Sequence, residues 1–189
     1  KEGPFEGTSI WNKPFEDEFD SKLFNLRGAL TMANMGVENS NGADFAVITT
    51  PPEKTASKQD YADNLTKYKE NFEQTAENIL EYYNQNKASL DPYFDSALEF
   101  FKANYYLAPN PDIVSDEVWD LYSRVGGNIR LDGQFRNYGG YTVFGQVFEG
   151  MDVVDAIALV EADAGTGKPF AEVRILSAEV VTYDPDTFT

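Results

Sequence analysis

The spacing of apolar and polar positions changes twice along the chain and divides it into three zones. In residues 1–50, the stretches ALTMAN (29–34) and DFAVITT (44–50) are short apolar runs that include β-branched residues, which predicts two strands. The Asn- and Gly-containing stretch between them supplies the left-handed backbone conformations that a tight connection needs. The pair is therefore predicted to form a hairpin.

The spacing becomes helical after Pro51-Pro52, since proline cannot donate to a strand ladder. Apolar residues then recur every three or four positions, the pattern of an amphipathic helix, at Tyr61, Leu65, Tyr68, Phe72, Ala76, Ile79 and Tyr83. A second helix is predicted to begin at Asp91-Pro92, and a third to run from Ser115 to Gly126. The aromatic stripe of the first helix is interpreted as the core of this helical region rather than as a peptide-binding surface.

Strand patterns return in the last zone. YTVFGQV (141–147) predicts a strand, MDVVDAIALV (151–160) a short helix, and EVRILSAEVVTY (172–183) a final strand with a bulge near Ser177. The predicted organisation is one β-rich domain formed by residues 1–50 and 131–189, interrupted by an all-helical insertion at residues 51–130.

Composition removes several classes of function. The chain has 189 residues, 42% of them hydrophobic and 14% aromatic, as expected of a folded globular protein. Its net charge of −17 disfavours binding to nucleic acid or to an anionic membrane surface. The absence of Cys and His excludes Ser-His-Asp and Cys-His nucleophilic sites, structural zinc sites and disulfides. No cofactor is predicted, and carboxylate chemistry, hard-cation sites and catalysis by binding and electrostatics remain open.

Two local patterns have weaker alternatives. The neighbouring acids Glu16, Asp17 and Glu18 could suggest a glycosidase or a calcium site, but 32 acidic residues produce such neighbours by chance, and no calcium-loop spacing is present. AGTGKPF (164–170) superficially resembles a phosphate loop but lacks its spacing, so a plain loop is preferred. No metal site is predicted.

Five motifs follow one another in a familiar order: PFEDEF (14–19), LTMANMG (30–36), NSNGADF (39–45), LDG (131–133) and YTVFGQVFEGMDVVDAI (141–157). The ordered set resembles the cyclophilin-type peptidyl-prolyl cis-trans isomerases over roughly residues 7–50 and 131–181. With its helical insertion, the chain looks like the elaborated cyclophilins of Gram-positive bacteria, many of which are lipid-anchored at the cell surface.

The resemblance implies a mainly β chain with an α-helical insertion, built on a cyclophilin-like eight-stranded antiparallel barrel. It also implies a groove outside the barrel, in which a peptide lies with its proline in a small apolar pocket. Asp44 and Ala46 stand where the family usually has glutamine and phenylalanine. On this reading, the peptide-binding residues are Gly7, Ala33, Asn34, Met35, Asp44, Ala46, Leu131 and Tyr141; Asn41 is assigned to the turn.

The family's first strands, with an FHR motif that carries the catalytic arginine and a following QGGD, are not found in this chain. No catalytic residue is therefore predicted here, and the chain alone is expected to be a weak or inactive catalyst. The final strand, at residues 172–181, would lack its usual partner and form an exposed sheet edge. The resemblance thus predicts a missing N-terminal fragment or a swapped second copy as a partner.

The predicted function is a peptidyl-prolyl cis-trans isomerase that assists the folding of exported or surface proteins. Its partners would be proline-containing peptides and unfolded client proteins, and its location extracytoplasmic, with any membrane attachment through a lipid anchor outside this chain. One alternative is a non-catalytic peptide-binding or chaperone module of the same fold. A weaker alternative is a surface adhesin that uses the helical insertion.

Overall fold

The computed structural model describes residues 9–70, 72–91, 96, 110–133, 135 and 140–182. The chain divides into two compact units, Lys1–Met151 and Asp152–Thr189. None of the described helices combines the length and the apolar character that crossing a membrane requires.

Three short strands form one antiparallel sheet in the order β2-β1-β3: β1 (Ala29–Met32), β2 (Phe45–Val47) and β3 (Val143–Gln146). Thr31 of β1 lies opposite Ala46 on one side and Val143 on the other. The predicted hairpin and the strand within YTVFGQV are therefore confirmed. The register between β1 and β3 shifts next to Thr31, as expected at a bulge.

Five α-helices are present in the described part of the chain: α1 (Lys58–Glu70), α2 (Phe72–Gln85), α3 (Lys87–Leu90), α4 (Asp116–Val125) and α5 (Met151–Ala158). Three-residue 3-10 helices occur at Pro52–Lys54, Pro111–Ile113 and Ile129–Leu131. The first predicted helix corresponds to α1 and α2, whereas most of the second lies outside the described residues.

Helix α4 confirms the third predicted helix at both ends. Ser115 precedes it with extended backbone angles, and the acids Asp116 and Glu117 occupy its first turn, where the positive end of the helix dipole favours them. Gly126 ends it with φ of +87°, a conformation that glycine adopts readily.

The core joins the helices to the segments around the sheet. The buried residues of the cluster are Tyr61, Trp119, Tyr122, Ile129 and Phe135. The ring of Phe135 lies 5.0 Å from that of Tyr61 and 5.5 Å from that of Trp119, edge to face in both cases. Phe24 and Leu26 pack against the same cluster. Tyr61 is thus in the core as interpreted, but the core is shared by the helical and the β-rich ranges rather than belonging to the insertion alone.

Two fold predictions need correction for the described residues. The strands contain four, three and four residues, fewer together than the 13 of α1, so this part of the chain is mixed α/β rather than mainly β. Residues 172–181 form no ladder with any described segment and are exposed throughout. A strand exists only where a partner accepts and donates its backbone hydrogen bonds, and that partner is lacking within the described residues. A complete barrel remains a prediction.

Candidate functional site

The candidate groove begins where β1 ends. The amide of Ala33 donates to the carbonyl of Asp44 at 3.0 Å, which extends the hairpin ladder by one bond. The amide of Met35 donates to the hydroxyl of Ser40 at 3.0 Å, and that hydroxyl donates to the carbonyl of Val37 at 2.7 Å. These bonds hold the start of the connecting loop, so Ala33 and Met35 flank a fixed backbone at Asn34.

Asn34 joins the two sides of the candidate groove. Its side chain is buried, and Nδ2 donates to the carbonyl of Gly140 at 2.6 Å while Oδ1 accepts from the amide of Gly36 at 2.9 Å. Within the described part of the chain, neither its backbone amide nor its carbonyl pairs with another backbone group. Both polar atoms of the side chain are therefore engaged, whereas the backbone amide and carbonyl have no backbone partner among the described residues.

Leu131 and Tyr141 form the other side. Both are half-buried, and the amide of Tyr141 donates to the carbonyl of Leu131 at 2.6 Å. Leu131 ends a 3-10 helix that begins at Ile129, and the amide of its second residue, Arg130, donates to Asn128 Oδ1 at 3.2 Å. Since Gly140 precedes Tyr141, the bond from Asn34 brings Leu131 and Tyr141 beside the end of β1.

Asp44 and Ala46 lie at the β2 side of the same region. Both are half-buried. Oδ2 of Asp44 is buried and has no hydrogen-bond partner among the described residues. A buried acceptor without a donor is unusual, because leaving it unpaired costs about 1–3 kcal/mol. The carboxylate is thus suited to accept a hydrogen bond from a bound group.

A buried polar network underlies the Leu131 side. Asp132 Oδ1 accepts from the backbone amide of Asn25 at 2.7 Å and from its Nδ2 at 2.8 Å, and Asp132 Oδ2 accepts from the hydroxyl of Tyr122. Burial raises the pKa of the Asp132 carboxyl, and the bonds from Tyr122 and Asn25 offset this only in part. Burial, together with the Asp132 charge, also raises the pKa of Tyr122. The LDG motif (131–133) is the one signal in the sequence that points to this network, and a role was predicted for its Leu131 but not for its Asp132.

The PFEDEF segment is structural in this site. Asp17 and Asn39 exchange two hydrogen bonds, at 3.0 and 2.9 Å, and Asn41 Nδ2 donates to Asp17 Oδ1 at 2.8 Å and to the carbonyls of Phe15 and Glu16. Asn41 is fully buried. It therefore clamps the turn to this segment, which goes beyond the turn role assigned to it.

Seven of the eight predicted binding residues are thus brought into one region, and Gly7 lies outside the described residues. A separate concavity of about 500 Å³ is lined by none of them, but by Trp11, Lys13, Pro14, Phe15, Glu16, Glu18 and Asn39. The guanidinium group of Arg27 donates a hydrogen bond to the backbone carbonyl of Thr49. In the described residues, no group of three or more acids that could hold a metal ion is present.

The family model of the cyclophilin type peptidyl-prolyl cis-trans isomerases matches residues 1–62 and 124–180, more than half of the chain. The chain belongs to this family. Residues 63–123, which include α2, α3 and most of α4, lie between the two matched segments. All eight predicted binding residues lie within the matched segments.

Named relatives agree with the family. The chain is 26% identical over 175 residues to a protein of Staphylococcus saprophyticus named "Putative peptidyl-prolyl cis-trans isomerase", a match covering 93% of this chain and 60% of the relative. A shorter match, 55% identical over 42 residues, covers 22% of this chain and 9% of a "Putative bifunctional phosphatase/peptidyl-prolyl cis-trans isomerase" of Streptococcus pyogenes. A Staphylococcus aureus relative is 52% identical over 42 residues, 22% of this chain and 21% of the relative. The chain thus spans less than two thirds of each of these relatives.

Proposed function

We propose that this chain provides the peptide groove of a peptidyl-prolyl cis-trans isomerase. The observation that supports this most directly is the convergence of the predicted binding residues. The bond from Asn34 to Gly140 and the bond from Tyr141 to Leu131 hold two apolar flanks about an unpaired backbone at Asn34. An extended substrate peptide would pair with that backbone, and its proline would lie between the flanks formed by Ala46 and Leu131.

The reaction suits a chain without nucleophiles. The bond before proline exchanges slowly because amide resonance imposes a barrier of roughly 18–20 kcal/mol. A groove lowers that barrier by holding the peptide twisted and by directing a hydrogen-bond donor at the prolyl nitrogen, whose basicity rises as resonance is lost. The residues described here would bind and orient the peptide. None of them is assigned as the donor, and weak catalysis by the chain alone stays a prediction.

The proposal is tested by cis-trans exchange in a short Ala-Pro peptide, measured by NMR exchange spectroscopy with the full-length protein. We expect clear acceleration, and a loss of most of it in Leu131→Ala. Val153→Ala is the matched control, since Val153 is 58% exposed on α5. A folded protein that neither binds the peptide nor accelerates its exchange would exclude this function.

The alternative is a non-catalytic peptide-binding module of the same fold. Two residues favour it: Ala46 is small where the family usually has an aromatic ring, and Asp44 is acidic where the family usually has glutamine. Peptide binding seen as chemical-shift changes, without any acceleration of exchange, would establish this alternative.

Exported and surface proteins are the proposed clients, and the cell surface, through a lipid anchor outside this chain, is the proposed location. The support is the resemblance to elaborated Gram-positive cyclophilins and the Gram-positive source of the relatives. Fractionation of the source cells tests the location. Light scattering of the purified protein tests whether a second copy is a partner, and a fragment-complementation assay tests a separate N-terminal fragment.

A further inference from the structure

Tyr122 connects helix α4 to the candidate groove. It is fully buried, its ring lies 6.4 Å from that of Phe24 in an edge-to-face contact, and its hydroxyl donates to Asp132 Oδ2. The residue belongs to the stretch 63–123 that lies between the two family-matched segments. A side chain from outside the matched segments therefore reaches the acid of LDG.

The other oxygen of Asp132 leads to the groove. Oδ1 accepts twice from Asn25, whose Nδ2 also donates to the carbonyl of Tyr141 at 3.3 Å. The amide of Tyr141 in turn donates to the carbonyl of Leu131 at 2.6 Å. Because Leu131 and Asp132 are consecutive, these bonds close a ring through both predicted residues of that flank.

The backbone of Asn25 packs closely against the residues that follow α4. The amide of Asn128 donates to the carbonyl of Asn25 at 2.9 Å, and a Cβ added at Gly127 would lie 2.5 Å from the same carbonyl oxygen. Gly127 has φ of +133°, which favours glycine. The segment after α4 and Asn25 are therefore held against each other, and a displacement of Tyr122 is expected to reach the groove side of the network.

We propose that Tyr122 is a positioning residue for the peptide groove: through Asp132 and Asn25, its hydroxyl sets the placement of Leu131 and Tyr141. The inference rests on the proposed function. Its physical basis is that a buried carboxylate must keep its hydrogen-bond donors. When one donor is lost, Asp132 must move toward another donor or toward water, and Leu131 moves with it.

The test compares Tyr122→Phe with Tyr61→Phe in the full-length protein. Tyr61 is the matched control because it is a tyrosine of the same core, 4% exposed, and its hydroxyl bonds to no described residue. Two quantities are measured: hydrogen exchange at the Tyr141 amide, and the Kd of an Ala-Pro peptide from chemical-shift titration. The first needs no activity, so it reports the network even if the proposed function fails.

For Tyr122→Phe we expect faster exchange at the Tyr141 amide and a Kd raised roughly three- to tenfold, the effect of losing about one hydrogen bond. Tyr61→Phe should change neither. Asp132→Asn, which keeps the size of the side chain without its buried charge, provides a second variant should Tyr122→Phe fail to fold, and the same two changes are expected in it.

Unchanged exchange and Kd in both network variants would overturn the inference while leaving the proposed function intact. Faster exchange with an unchanged Kd would also overturn it, because the network would then be structural only. A wild-type protein that binds no proline peptide would overturn the proposed function, and the groove role of Tyr122 with it.

Discussion

The side-chain amide of Asn34 donates to the carbonyl of Gly140 at 2.6 Å, across 106 positions of sequence. This one bond fixes the end of β1 to the residue that precedes Tyr141. Together with the bond from the amide of Met32 to the carbonyl of Thr142 at 2.9 Å, it holds the two flanks of the candidate groove beside each other. The placement of the flanks therefore depends in part on a side chain that need not touch the peptide.

Asn34→Ala is expected to lower stability and abolish peptide binding. The substitution leaves the carbonyl of Gly140 without its donor in a buried setting, which costs about 1–3 kcal/mol. Urea denaturation measures the loss. Asn64→Ala, at an exposed position of α1, is the matched control and should change stability by less than about 0.5 kcal/mol. Equal stabilities of the two variants would contradict the importance of the bond.

Gly140→Ala is expected to be poorly tolerated. A Cβ at Gly140 would lie 2.4 Å from the Cα of Gly133, a backbone atom that cannot rotate away. Overpacking of this kind costs about 1–3 kcal/mol. Gly42→Ala is the control, because a Cβ there meets no atom within 4 Å. Thermal unfolding of the two variants should separate them clearly, and a Gly140→Ala protein as stable as Gly42→Ala would show that this approach is not tight.

Ala46→Phe is expected to tighten peptide binding. Ala46 is half-buried on β2, and the proposed function places it where the family usually supplies an aromatic pocket floor. A ring there would bury more of the proline, since each buried CH₂ contributes roughly 0.8 kcal/mol. Ala43→Phe, two residues before β2 and three before Ala46, is exposed and serves as the control. If the Kd for an Ala-Pro peptide rises or stays constant in Ala46→Phe, Ala46 does not face the proline.

The ionisation of Asp132 should destabilise the fold as pH rises. Burial raises its folded-state pKa, whereas an unfolded aspartate titrates near about 3.9. The contribution of the protonated group is therefore fully present below about pH 4 and is lost as pH rises through the folded-state pKa.

The measurement is the unfolding free energy of wild type minus that of Asp132→Asn, between about pH 4 and 7. This difference should decline with rising pH. The same difference taken against Asn64→Ala, an exposed position of α1 that does not titrate, should stay flat. A difference for Asp132→Asn that rises with pH would mean that the donors of Asp132 outweigh its burial.

Local patterns predicted the local elements well. The hairpin, β3, α4 and α5 follow from β-branched runs, helix caps and apolar spacing, all of which act within a few residues. The eight predicted binding residues came from a resemblance of motif order, and seven of them share one region of the structure. Residues 172–181 show the limit of pattern: their alternation is typical of a strand, but a strand also needs a partner.

The buried hydrogen-bond network of Asn25, Tyr122 and Asp132 could not be predicted from the spacing of residues along the sequence. Asn25 and Asp132 lie 107 positions apart, and Tyr122 was one of several apolar-looking residues on α4. Asn and Asp are also residue types that are usually exposed. Asp132 is buried between Ile129 and Phe135, two members of the core cluster that are distant in sequence from Tyr61.

The shared core also bears on any attempt to shorten this protein. Removing residues 63–123 would leave the two family-matched segments joined, but it would delete Trp119 and Tyr122. Phe24 would lose its contact with the ring of Tyr122, Phe135 would lose that of Trp119, and Asp132 would lose the hydroxyl from which it accepts a hydrogen bond. A shortened protein that keeps only the two family-matched segments would therefore need new apolar contacts in the core and a new hydrogen-bond donor for Asp132 before it could fold. Conversely, transferring the helices to a relative without them would require residues in that relative that match the core contacts of Trp119 and Tyr122.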